Sequence, residues 1–178
     1  KAEPWRRSAD LRLGIKGRRN GGETFARERS FVIEAPKLTD SQCHLDLSDC
    51  EGERDQIIAR AAEAGVHRME TICTRLRQEP QVRAIAETHA PVFYAAGTHP
   101  MNADKEPLAK VEELLALATH PKFVAIGETG LDYHYTAESA EIQKQSLRVH
   151  IEAAQNSNLP LIIHARAADE DTAEILSS

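Results

Sequence analysis

From residue 37 onward, short apolar runs alternate with longer segments in which apolar residues recur every three or four positions. The short runs predict β-strands and the longer segments predict amphipathic helices. Five strands are predicted, over residues 38–45, 66–74, 92–98, 123–127 and 161–164. The helices that follow them are predicted over residues 53–64, 80–89, 108–118, 137–156 and 169–176.

Strands that alternate with helices predict right-handed crossover units and a parallel sheet. Two closures of that sheet remain open, a doubly wound sheet and a (β/α)8 barrel. No glycine-rich GxGxxG motif follows the first strand, which argues against dinucleotide binding. In a barrel the chemistry takes place at the carboxyl ends of the strands.

We find no apolar periodicity in residues 1–36, and Asn20-Gly21-Gly22 interrupts them, so we predict a basic, poorly ordered extension. Residues 1–29 carry nine lysines and arginines against four acids, a net charge of +5. The whole chain has a net charge of −6, which leaves −11 for the remainder. The extension has three alternative explanations: an arm that contacts phosphates, an organelle-targeting segment, or a sequence foreign to the fold. The acidic remainder would repel nucleic acid unless metal ions or local basic side chains offset its charge.

The composition, 41% apolar and 28% charged residues, is typical of a globular protein. No apolar run is long enough to span a membrane, and no apolar stretch follows the basic start as in a secretory signal. Three cysteines without CxxC spacing predict reduced thiols and a cytoplasmic location. No stable protein partner is predicted.

Unusual polar residues stand at the ends of four predicted strands. They lie in the segments DSQCHLD (40–46), GTHP (97–100), GETGLDY (127–133) and HAR (164–166). Each has an ordinary explanation by itself, because a histidine after a strand is commonly a hydrogen-bonded loop residue and Glu128 alone could be a surface acid. Together, imidazoles and a carboxylate on one rim suit a divalent metal ion. A carboxylate between two histidine-bearing strands can bridge two such ions.

These motifs, with LPLIIHARAADEDT at 159–172, resemble the TatD family of metal-dependent hydrolases within the amidohydrolase-like barrels. The resemblance runs from Asp40 to the last residue and covers the first five of the family's eight strand–helix units. It implies an α/β fold of the (β/α)8 TIM-barrel type, incomplete in residues 37–178. It also implies one or two divalent metal ions (Mg²⁺, Mn²⁺ or Zn²⁺). The implied activity is exonuclease-like hydrolysis of DNA or another phosphodiester substrate.

Carried over by motif, Glu128 is the expected bridging carboxylate and His164 a ligand of the second ion. His44 corresponds to the second histidine of the family's strand-one HxH pair, and His99 and Arg166 are expected to line the substrate side. Gln42 stands where the family has the first histidine, on the same strand face as His44. An amide oxygen is a poorer ligand than imidazole for Zn²⁺ or Mn²⁺, so we expect a weakened first metal site.

The family's further histidine and catalytic aspartate would follow strands six and eight, beyond Ser178. No catalytic residue is therefore assigned, and impaired turnover is expected. We also expect such an incomplete barrel to aggregate, to fold partly, or to be completed by another chain. Two alternatives remain: an inactive remnant that serves as a binding or structural module, and a metal-dependent amide or ester hydrolase, because a fold does not determine its substrate.

Overall fold

The computed structural model describes residues 9–18, 24–33 and 37–178 of the chain. The first two segments form an antiparallel pair of strands, β1 (Ala9–Arg18) and β2 (Thr24–Ile33). The sequence analysis predicted no strand in this part of the chain, and its prediction of a poorly ordered extension stays a prediction. Apolar residue types do recur at every second position from Ala9 to Ile15, a period that favours a strand, so the statement that this segment lacks apolar periodicity is wrong there. The rest of the predicted extension lies outside the described residues, and the domain boundary at residue 36 stays a prediction.

Five parallel strands form the second sheet, and each predicted strand is present. They are β3 (Leu38–Cys43), β4 (Val66–Cys73), β5 (Val92–Ala96), β6 (Phe123–Asp132) and β7 (Leu161–Arg166). Two strands extend beyond their predicted ends at residues 127 and 164. Glu128 therefore lies within a strand rather than after it, and His164 lies inside its strand rather than at its last position.

The helices alternate with these strands as predicted. They are α1 (Arg54–Glu63), α2 (Glu79–Thr88), α3 (Val111–Leu117), α4 (Ala140–Ser157) and α5 (Asp169–Ser177). Helix α3 begins three residues later than predicted, because the Glu113 carboxylate accepts a hydrogen bond from the Lys110 backbone N–H and caps the helix there. In the part of the chain that the structure describes, none of the helices has both the length and the apolar character needed to cross a membrane.

The order of the strands decides between the two closures that the sequence left open. The sheet runs β3-β4-β5-β6-β7, so every crossover moves to the next strand in the same direction. Right-handed crossovers then place all the helices on one face and curl the sheet around the other. A doubly wound sheet would instead reverse its order at a switch point. The prediction of an incomplete (β/α)8 barrel is confirmed.

The main hydrophobic core lies between the helices and the outer face of the sheet. Side chains alternate along β5, so that Val92, Tyr94 and Ala96 pack in this core while Ala95 belongs to a cluster on the inner face. That inner cluster also contains Ile72, Ala125 and Ile162. Because residues of a strand alternate, the inner position of Ile162 places His164 and Arg166 on the inner face as well.

Candidate metal centre

Three glycines let the carboxyl ends of β5, β6 and β7 approach one another more closely than side chains would allow. A Cβ atom on Gly97, directly after β5, would lie 2.7 Å from the Cα atom of Gly127 in β6. A Cβ atom on Gly130, whose φ is 142°, would overlap the backbone oxygen of His164 in β7. This close packing lets β6 continue beside β7 as far as Asp132, so that GETGLD is part of a strand.

His99, Glu128 and His164 converge at this end of the sheet. Each side chain offers one ligand atom, and the three atoms all lie within 4.8 Å of one another. Glu128 Oε1 is 3.4 Å from His164 Nδ1 and 3.9 Å from His99 Nε2, both too long for a strong hydrogen bond. The Glu128 side chain is only 9% exposed. A nearly buried carboxylate beside imidazoles is the kind of group from which a divalent cation draws its ligands.

A directional chain of hydrogen bonds fixes which nitrogen of each imidazole carries its proton. The backbone N–H of Met101 donates to His99 Nδ1 over 3.2 Å, so neutral His99 carries its proton on Nε2. His164 Nε2 lies 3.0 Å from the Asp132 carboxylate and donates to it. The remaining nitrogen of His164, Nδ1, therefore bears a lone pair and accepts from His99 Nε2–H over 3.1 Å. His164 can thus ligate a metal ion through Nδ1, whereas the ring nitrogen that His99 turns toward the centre is a donor.

The neutral form of His99 is the one that its surroundings favour. Burial lowers the pKa of His99, the Glu128 carboxylate raises it, and His164 lowers it again. The net direction is downward from the ordinary value of 6.5. His99 is therefore neutral at pH 7, as the hydrogen-bond chain requires.

Asp132 is a site residue to which the sequence analysis assigned no role. It is fully buried, and its Oδ1 atom accepts hydrogen bonds from the backbone N–H groups of His134 and Tyr135. Burial alone would raise the pKa of Asp132, but the hydrogen bonds from Tyr135, His164 and His134 outweigh burial and lower it. A carboxylate that orients a metal-binding histidine in this way is a common feature of metal sites. The signal was available, because Asp132 lies four residues after Glu128 and strand alternation puts both on one face, but the predicted strand ended too early.

A second buried histidine supports the segment that carries His99. The His150 side chain in α4 is fully buried, and its Nδ1–H donates to the Ser146 backbone oxygen over 2.7 Å. Its Nε2 accepts from the Thr98 backbone N–H over 3.1 Å. Burial lowers the pKa of His150 to about 4, although its hydrogen bond to Ser146 opposes that change. A neutral imidazole therefore ties α4 to the residue before His99.

His44 and Gln42, the predicted ligands from the first strand of the sheet, lie outside the group of three converging side chains. His44 is half-buried, and its Nδ1 lies 3.3 Å from the Ile72 backbone oxygen, which leaves Nε2 as the nitrogen with a lone pair. It is close enough to His99 that a proton on His44 would lower the pKa of His99. Gln42 is exposed, and its backbone N–H donates to Asp40 Oδ1 over 3.1 Å.

Arg166 is exposed at the carboxyl end of β7, two residues beyond His164 on the same strand face. Its guanidinium carbon lies 5.2 Å from the centre of the Tyr135 ring. The structure therefore places the predicted substrate-side arginine at the rim, beside an aromatic ring that the sequence analysis did not single out.

Comparison with known families supports the resemblance seen in the motifs. The sequence profile described as TatD related DNase matches residues 39–178. The chain belongs to this family. The match contains every predicted site residue: Gln42, His44, His99, Glu128, His164 and Arg166. Their individual roles remain predictions.

Relatives in the TatD family include proteins described as metal-dependent hydrolases and one described as an exonuclease. The "Uncharacterized metal-dependent hydrolase YcfH" of Escherichia coli K12 is 38% identical over 142 residues, covering 78% of this chain and 53% of the relative. The "Uncharacterized metal-dependent hydrolase YabD" of Bacillus subtilis is 36% identical, with coverage of 78% and 54%. The "3'-5' ssDNA/RNA exonuclease TatD" of E. coli K12 is 31% identical, with coverage of 75% and 51%. The chain spans about half the length of these relatives.

A solved TatD-family structure has the same fold. The crystal structure of the TatD homologue YjjV from E. coli K12 superposes with a TM-score of 0.73 at 30% sequence identity. The superposition covers 79% of this chain and 55% of the homologue. The curled sheet described above is thus part of the TatD barrel.

Proposed function

We propose that this chain supplies the Glu128–His164 part of a divalent-metal centre that hydrolyses phosphodiester bonds in single-stranded nucleic acid. The observation that carries the proposal is the convergence of Glu128 and His164 at the carboxyl ends of adjacent strands, where Asp132 holds the His164 ring. The name of the TatD relative, an exonuclease on single-stranded DNA and RNA, supports the choice of substrate.

The residues proposed to hold metal are Glu128 through a carboxylate oxygen, His164 through Nδ1, and His44 through Nε2. One or two ions are proposed, and the mixture of imidazole and carboxylate ligands suits Mn²⁺ or Zn²⁺ better than a site made only of oxygens would, with Mg²⁺ as the alternative. A bound divalent ion would polarise the phosphate and lower the pKa of a water molecule. Gln42 would be a weaker neighbour of His44 than the histidine that the family places there.

His99 is proposed to act as a hydrogen-bond donor in this centre. Its Nε2–H donates to the lone pair of His164 Nδ1, the same lone pair that a metal ion would take. Once that lone pair is engaged, the N–H of His99 is free to donate to an oxygen atom, either of Glu128 or of a substrate phosphate. Arg166, positively charged and exposed at the rim, would attract the same phosphate backbone despite the chain's net charge of −6.

Metal binding to the 178-residue chain tests these roles, with Mn²⁺ as the ion and isothermal titration calorimetry as the measurement. We expect Glu128→Gln and His164→Gln to weaken Mn²⁺ binding by about 100-fold and His99→Gln by less than about threefold. His120→Gln is the matched control, because His120 pairs with Glu87 on the surface. Unchanged Mn²⁺ affinity in Glu128→Gln would show that these residues do not form the metal centre. A loss of Mn²⁺ affinity in His99→Gln as large as in His164→Gln would show that His99 is a ligand.

The reaction is tested by release of nucleotides from a single-stranded oligonucleotide, with Mn²⁺ or Mg²⁺ and with EDTA as the control. We expect slow, metal-dependent release that Glu128→Ala abolishes. Release of p-nitrophenol from an ester without release of nucleotides would support the amide or ester hydrolase instead. Metal binding without either reaction would support the inactive binding module.

A further inference from the structure

A pair of aromatic rings lies exposed at the rim of the sheet, directly after β6. Tyr135 is 56% exposed, although a tyrosine ring usually buries most of its apolar surface. The rings of His134 and Tyr135 pack edge to face, with their centres 4.4 Å apart. The Arg166 guanidinium lies over the Tyr135 ring at 5.2 Å, within the range of a cation–π contact.

Asp132 fixes these rings relative to the candidate metal centre. One of its oxygens binds the His164 ring, and the other accepts the backbone N–H groups of His134 and Tyr135, over 3.0 and 2.8 Å. A single buried carboxylate therefore orients the proposed metal ligand and the turn that carries both rings. Shifting the turn would disturb that ligand, so the two features form one rigid unit.

The spacing along β7 suits a substrate that reaches from the metal centre to the rings. Arg166 and His164 lie on the same face of β7, and two residues of a strand span about 7 Å. A stacked strand rises about 3.4 Å per nucleotide, so a span of about 7 Å corresponds to about two stacked nucleotides and to fewer in an extended strand. An aromatic ring beside an arginine is the combination that proteins use to hold single-stranded nucleic acid, with the ring under a base and the cation near the backbone.

We propose that Tyr135, held beside Arg166, is a stacking platform for a nucleobase of single-stranded nucleic acid whose phosphate lies at the Glu128–His164 centre. The proposal rests on the proposed function and adds the base-recognition element to it. Stacking on a ring tolerates any base, so this platform gives affinity without strong sequence preference.

The test is binding of a short single-stranded oligonucleotide whose terminal base is 2-aminopurine, a base whose fluorescence falls when it stacks on a ring. Binding is measured with the 178-residue chain in Mg²⁺, beside the same oligonucleotide with an abasic site at its end. We expect Tyr135→Leu to abolish the fluorescence decrease and to weaken binding about tenfold, and Tyr135→Phe to preserve both. The wild type should bind the abasic oligonucleotide about tenfold more weakly than the oligonucleotide that has its terminal base. The wild type and Tyr135→Leu should bind the abasic oligonucleotide with equal affinity.

Two controls separate this proposal from a folding defect and from the proposed function. Leu176→Ala, which removes another exposed apolar side chain at the far end of α5, is expected to leave binding and fluorescence unchanged. Mn²⁺ affinity should be the same in Tyr135→Leu as in the wild type. The platform would be overturned if Tyr135→Leu quenched the fluorescence as much as the wild type, or if the wild type did not bind the oligonucleotide. Either result would leave the proposed function standing as long as nucleotide release depends on Glu128. Stacking that Tyr135→Leu abolishes, without any phosphodiester cleavage, would instead overturn the proposed function and leave the platform as a binding site.

Discussion

His150 is the residue through which we expect acid to weaken both the fold and the segment that carries His99. The imidazole is fully buried, and its unprotonated Nε2 accepts the Thr98 backbone N–H. Protonation would remove that acceptor and place a charge in the core between α4 and β5, where the ring's partners among the described residues are two backbone groups, of Thr98 and Ser146. The prediction is therefore a loss of stability at acid pH that depends on this one side chain.

The size of the effect follows from the two pKa values. Burial lowers the pKa of folded His150 to about 4, from 6.5 in the unfolded chain. Between these values the unfolded chain binds more protons than the folded one, so the free energy of unfolding falls as the pH falls. The contribution of neutral His150 to the free energy of unfolding is fully present well above pH 6.5. It decreases by about 2 kcal/mol at about pH 5 and by about 3 kcal/mol at about pH 4.

Urea unfolding in EDTA, between about pH 5 and about pH 8, measures this loss in the wild type and in His150→Gln. The glutamine oxygen can take the place of Nε2 and accept the Thr98 N–H, but it does not titrate. Subtracting the two curves cancels the titration of the other groups. We expect the wild type to lose about 2 kcal/mol more than the variant over this range.

The same pH dependence in His150→Gln and in the wild type would refute the reasoning. Where the variant does not fold, an NMR titration of the wild-type His150 ring takes its place. A pKa for that ring at or above 6.5 would then contradict the buried, neutral imidazole.

Three further substitutions test the packing and the ligands. Gly130→Ala is expected to lower the free energy of unfolding by roughly 3 kcal/mol, since its Cβ atom would overlap the backbone of β7 at a positive φ; thermal unfolding measures this. Lys122→Met is expected to cost about 2 kcal/mol in urea unfolding, because the three N–H groups of Lys122 Nζ are shared among four backbone carbonyls at and beyond the end of α2. Gln42→His is expected to tighten Mn²⁺ binding about tenfold in calorimetry.

Matched controls accompany these substitutions. Gly52→Ala also adds a Cβ atom at a positive φ, but with nothing within 4 Å, so it is expected to cost only about 1 kcal/mol. Equal losses in the two glycine variants would show that packing against β7 is not the cause. Lys144→Met removes a half-buried lysine whose ammonium group pairs with Asp171, and it is expected to leave the free energy of unfolding nearly unchanged. Unchanged Mn²⁺ affinity in Gln42→His would remove Gln42 from the metal centre.

Much of the fold could be predicted from the sequence because element type depends on local periodicity. The spacing of apolar residues predicted five strand–helix units, and each is present. The boundaries were less accurate where backbone geometry decided them. Strand β6 continues past residue 127 because Gly127 and Gly130 allow a close approach to β7, which a pattern of apolar residues cannot reveal.

The sequence by itself pointed to candidate residues for the chemistry, and the tertiary structure decided which of them meet and added Asp132 to them. Glu128 and His164 are recognisable in their motifs, since each directly follows an apolar run. Strand order and register determine the distance between Glu128 and His164. They also determine the hydrogen bond between Asp132 and a histidine 32 residues away, and the hydrogen bond between Thr98 and His150 across 52 residues. The same is true of the His99 proton, because a backbone N–H and a neighbouring ring determine which nitrogen carries it. Local spacing specifies local structure, whereas the donors, acceptors and charges of this centre acquire their roles only when distant strands lie side by side.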